Sequence, residues 1–205
     1  LKKSGLIIIL LPFIILLLIY SKEMPKDEYT AVTPVAAVST DTPAQAQDQA
    51  EKFSYLKQLS SDKQEGFTRF IGDRDLSELN QFTPEDMMLV YMYCISIGDP
   101  DLLYQITYNG GQLPDSNTFH DDYFKYAMTY DSETAMHYRY YDSIKVDEST
   151  AKENKVAVLI TVSLETSAHS MALGLQKEDG VWKIDIYHLI QHYKNLAIEK
   201  EEVNH

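Results

Sequence analysis

His188 and His192 stand four residues apart, the spacing in this 205-residue chain that comes nearest to a metal-ligand motif. Zinc hydrolases of the H-E-x-x-H type need a Glu directly after the first His to activate water. Leu189 stands there, so that chemistry is not supported and the two rings read as surface groups. Cys94 is the single cysteine and lies in an apolar run without a neighbouring base, which predicts a buried inert thiol. One cysteine also excludes an internal disulfide framework or a thiolate zinc cluster. Asp73, Asp75 and Glu78, and then Asp99 and Asp101, lack the calcium-loop pattern with its central Gly. Like His120-Asp121-Asp122, they fall where helices are expected to start, and carboxylates there satisfy free amide groups. No P-loop, dinucleotide fingerprint or G-x-S-x-G elbow occurs, so no cofactor is expected. With 31 Asp+Glu against 18 Lys+Arg the net charge is −13, which disfavours nucleic-acid binding, because that needs clustered cations.

The elements that must carry any site begin after an N-terminal address. Lys2 and Lys3 precede an apolar run from Leu6 to Tyr20. At 1.5 Å per residue it covers roughly 22 Å, and Ser4, Gly5 and Ser21 extend it while Lys3 and Lys22 can snorkel. No small-x-small cleavage site follows closely and no lipobox cysteine is present, which favours an uncleaved signal-anchor; the alternative is a cleaved signal peptide. Positive-inside asymmetry places the N-terminus in the cytoplasm and the remainder outside. The segments predicted are an anchor or signal over 1–24, a disordered linker rich in Thr, Ala, Gln and Pro over 25–49, a short helical lead-in over 50–80, an α+β domain over 81–195 and an acidic tail over 196–205.

Within the domain, Thr83-Pro84-Glu85-Asp86 combines a capping hydroxyl, Pro at the first helical position and first-turn acids. The helix it starts, to about Ile97, is apolar all round and so is expected to be buried on more than one side. Gly98 ends it, Asp99-Pro100 starts a second helix, and a third is expected from Ser116 or Asn117 to Tyr130. The period then changes to two. Strands are predicted over Ala135–Val146, Lys155–Glu165, His169–Gln176 and Val181–Tyr187, with turns at Asp147–Asn154, Thr166-Ser167 and Glu178-Asp179-Gly180. In the last strand Trp182 is expected in the seam between sheet and helix, with Lys183 and Asp185 facing outward. Helices followed by an antiparallel four-stranded meander make an α+β fold.

The order of capped helix, Gly-Asp break, shorter helix and long antiparallel strands, ending in Leu175–Asp185, resembles the nuclear transport factor 2-like superfamily, the cystatin-like α+β cone. The resemblance covers about Phe82 to Tyr193 and implies helices packed on a curved four-stranded sheet. It implies a pocket between sheet and helices, for which Tyr91, Tyr104, Tyr138 and Tyr140 are the ligand-binding candidates, with Tyr93, His137, Asp121, Asp122 and His169 as further groups of suitable type. No catalytic residue and no metal ligand is assigned. The function expected is a non-catalytic, membrane-tethered extracytoplasmic module of a bacterial envelope that binds another extracytoplasmic protein or a component of the envelope. The alternative is a pocket that binds a small molecule or performs isomerase- or dehydratase-like chemistry, and dimerisation through the sheet is a further expectation.

Overall fold

A computed structural model of the chain describes residues 53–165 and 167–203. The expected membrane segment Leu6 to Tyr20 and the linker over 25–49 lie outside the described residues. Among the described residues no helix is long and apolar enough to cross a membrane.

A 3-10 turn at Tyr55–Gln58 leads to α1 (Ser61–Asp73), and a second one at Leu76–Leu79 leads to α2 (Pro84–Ile97) and α3 (Pro100–Ile106). Next come α4 (Ser116–Asp122), a wide π-turn (Tyr123–Ala127) and α5 (Met128–His137). The strands β1 (Ser143–Lys152), β2 (Lys155–Leu164), β3 (Ser167–Glu178) and β4 (Val181–Ile184) form one antiparallel sheet in that order, and α6 (Ile186–Val203) follows. The fold is α+β, helices first and then a meander.

Local chemistry explains where α2 begins and ends. The Asp86 amide donates to Thr83 Oγ1 at 3.3 Å, the Thr83 amide donates to Asp86 Oδ2 at 2.7 Å, and Lys63 of α1 pairs with the same carboxylate. This capping box satisfies two amides that the helix cannot. At the other end Gly98 takes φ 64, a left-handed conformation that costs glycine no Cβ clash. Between these ends Met87 to Met92, Cys94 and Ile95 are all buried, so α2 is covered on several sides. The strand register aligns Ile144, Ile160 and Met171 in one row, Val146, Val158 and Leu173 in another, and Val156, Leu175 and Ile184 in a third. These rows and α2 belong to one hydrophobic cluster. Fully burying each such aliphatic side chain contributes about 1.5–3 kcal/mol. The β3–β4 hairpin closes through Asp179 at φ 52 and Gly180 at φ 88, the two positive values a tight two-residue turn requires.

Of the stretch Ala135–Val146 only Ser143–Val146 is strand. The third helix passes through the π-turn and runs on past Tyr130 to His137, and β1 starts only at Ser143 and continues to Lys152, through residues expected to turn. Burial decides it: Ala135 and Tyr138, three apart, are inside, whereas Met136 and Tyr140 are 78% and 72% exposed. The amide of Tyr138 donates to the Thr134 carbonyl at 3.0 Å, which is helical closure. The predicted turn at 147–154 survives as a shift of register between Asp147 and Lys152, where Asp147 accepts from the Ser149 amide and hydroxyl. Lys183 is the second correction. It is buried, and its amine reaches Glu178 at 2.8 Å instead of facing solvent.

Candidate functional site

The four tyrosines proposed as pocket residues do not converge. Tyr91 lies inside α2 and is 1% exposed. Half-buried Tyr104 of α3 donates its hydroxyl to the Pro114 carbonyl at 3.1 Å and sits edge-on to Phe119. Tyr138 is buried where α5 ends, while Tyr140 stands in solvent against Phe53 and the Arg139 guanidinium. Of the further groups, Tyr93 packs edge-on to Phe67, and the exposed His137 lies against His169. His188 and His192 are exposed on α6. Cys94 is buried, and burial pushes its thiol far above the usual range, so it is no nucleophile.

The structure instead brings Tyr91 to a residue that sequence reasoning passed over. Asp131 of α5 is 3% exposed, and Tyr91 Oη donates to its Oδ1 at 3.2 Å. Burial pushes the carboxyl up to about 7, and the Tyr91 hydrogen bond draws it partly back; no cation's field acts on it. Tyrosines surround it. Tyr123, the first residue of the π-turn, is wholly buried, and its hydroxyl has no hydrogen-bond partner among the described residues. Tyr193 of α6 is pushed up to about 12 by burial and by the nearby Asp131, and its ring stacks on Tyr130 with centroids 4.4 Å apart. The cluster thus joins α2, the π-turn, α5 and α6.

A carboxyl poised near neutrality has the proton affinity of a general acid or base, but it must also reach a substrate. Asp131, Tyr91 and Tyr123 are enclosed, so the group can exchange a proton with a ligand only if a helix moves. The surface depression along α1, lined by Ser61, Gln64, Glu65, Thr68 and Arg69, is one helix's outer face and does not touch them. Among the described residues no group of three or more His, Cys, Asp and Glu is placed to hold a metal ion.

Asp122, read from sequence as a first-turn acid and as a further group for the pocket, does a different job at the other end of the π-turn. It is 9% exposed and accepts from Lys194 of α6 at 2.9 and 3.0 Å and from Gln191 at 3.3 Å. The sequence signal for these groups was weak: a lone Asp among aromatic residues, with its partner Tyr91 forty positions away. No protein-family model matches the chain, and no curated protein matches it either.

Proposed function

We propose that the protein is a membrane-tethered, extracytoplasmic, non-catalytic binding module of a bacterial envelope, held by the segment Leu6 to Tyr20, whose folded part docks a protein partner. One observation carries the docking part. Of the large apolar side chains that stand exposed, Phe124, Met128, Met136 and Tyr140 fall on one bent helix and the turn that ends it, at 53%, 40%, 78% and 72% exposure. Phe124 lies in the π-turn, Met128 opens α5 and Met136 follows about two turns later on it. Exposed apolar side chains gathered on one element mark interaction sites more often than scattered single residues do. Arg139 and Lys125, next in sequence to Tyr140 and Phe124, are exposed beside them.

The test uses the full chain in membranes with a photo-crosslinking residue at Met136. A discrete crosslinked species is expected, and it should disappear in Phe124→Asp/Met128→Asp while the melting temperature stays within about 3 °C of the parent. A species of twice the chain mass would identify the partner as a second copy. No species, or one indifferent to both substitutions, would remove the proposal.

The small-molecule reading rests on the Tyr91–Asp131 pair, a neutral-leaning acid in an aromatic surround. It requires α5 or α6 to open. Native mass spectrometry of the full chain in detergent would support it by showing an added mass that is lost in Asp131→Asn; a bare chain would count against it.

A further inference from the structure

We infer that His137 and His169 form a binding site for a divalent transition-metal ion of the zinc and copper class. The two rings come from different elements: His137 is the last residue of α5, and His169 lies near the start of β3. Both are exposed, so an ion can reach them. Their centroids stand 5.2 Å apart with ring planes at 79°. Two imidazoles on one tetrahedral ion, with metal–nitrogen bonds of about 2.0–2.1 Å, hold their centroids roughly 5 Å apart. The rings therefore already stand at the separation that a shared ion would require.

A second observation concerns which nitrogen is free. Ser167 Oγ donates to the Leu164 carbonyl at 3.4 Å and lies 3.1 Å from His169 Nε2. In the tautomer protonated at Nε2, Ser167 Oγ accepts from Nε2–H. That assignment leaves the lone pair on Nδ1 of His169. Histidines that bind metals commonly hold their other N–H in this way, which fixes ring orientation and tautomer. The serine is itself held by the tight β2–β3 connection, where Glu165 adopts φ 53.

Since no third His, Cys, Asp or Glu joins this pair among the described residues, those residues supply two ligands, and further positions are open to water or to donor atoms of a bound molecule. Such a site discriminates by intrinsic affinity, so copper(II) should bind more tightly than nickel(II) or zinc(II).

The experiment is calorimetric titration of the full chain in detergent with zinc chloride, repeated with copper(II) and read by electron paramagnetic resonance for nitrogen coupling. One ion per chain is expected. His137→Gln/His169→Gln should weaken binding at least tenfold, whereas His188→Gln/His192→Gln, which removes the other close pair, should leave the first ion in place. Ser167→Ala should weaken binding several-fold with an unchanged melting temperature. Binding that survives the first double substitution, or is lost in the second, would overturn the inference, as would the absence of binding in the parent. Indifference to Ser167→Ala would overturn the role given to the serine.

Discussion

Asp122 and Asp131 lie on one bent helix, nine positions apart, both largely withdrawn from water, and they meet opposite surroundings. Asp122 faces Lys194 and Gln191, so its charge is neutralised where it forms. Asp131 faces tyrosine hydroxyls and receives a single hydrogen bond from Tyr91, so burial acts on it almost unopposed. Side-chain type and burial are therefore alike for the two acids, and what differs is the partner that each neighbouring helix supplies. One carboxylate works as a permanent tie between α4 and α6. The other is a neutral-leaning group whose charge would be costly where it sits.

The comparison can be broken most severely at Asp131. Its carboxyl is raised from 3.8 to about 7. Between those values the unfolded chain gives up the proton while the folded chain retains it. Stability contributed by the neutral form is therefore complete below pH 4, falls as pH rises through 7 and levels off above. The whole swing is on the order of 4 kcal/mol. Asp131→Asn keeps an acceptor for Tyr91 without titrating, so urea unfolding should find it close to the parent at pH 4 and more stable at pH 8 by up to about 4 kcal/mol. Parallel stability curves for the two proteins would mean that Asp131 is solvated.

Lys194→Met is the next largest change. It strands a carboxylate that is 9% exposed with only Gln191 for company, and a loss of about 1–3 kcal/mol is expected at pH 8. Urea unfolding at that pH measures the loss, and a stability equal to the parent's would mean that Lys194 is no tie between the helices. A smaller effect follows from Tyr91→Phe. Removing the hydroxyl pushes Asp131 further up and costs about 1 kcal/mol, measurable as a lowered urea midpoint. Smallest of all is Tyr123→Phe. Its hydroxyl is buried without a described partner, so deletion should be neutral or stabilising by up to about 1 kcal/mol by the same measurement. A clear loss there would reveal a bond that this hydroxyl makes in solution.

What could be read from the sequence was what is encoded locally. Thr83 to Asp86, Gly98, Asp99-Pro100 and Asp179-Gly180 each carry their own capping or turn chemistry, and each stands at the element boundary it predicted. Alternation in β2 and β3 was equally plain because one face of those strands is covered. The segment after Tyr130 misled because Met136, Tyr138 and Tyr140 are apolar at period two, yet two of the three face water. Exposure there is set by tertiary packing that residue type does not announce. The Tyr91–Asp131 pair was illegible for a related reason: it depends on the relative placement of two helices and on a π-turn, for which no residue pattern is diagnostic. Residues such as Lys183 mislead in the opposite direction, since a charge is expected outside until its partner Glu178 is seen.

The π-turn at Tyr123–Ala127 has a consequence best expressed as an angle. In an uninterrupted α-helix, side chains nine positions apart point about 180° away from each other. A helix carrying Asp122 and Asp131 in that arrangement could seat only one of them against the body of the protein. A π-turn accommodates one additional residue and so retards the winding by roughly 100°. The two acids are thereby brought into the same half of the helix circumference, where both can be inside. One residue of insertion thus acts as a phase shifter. It allows a single helix to present one acid to a lysine on α6 and another to a tyrosine on α2.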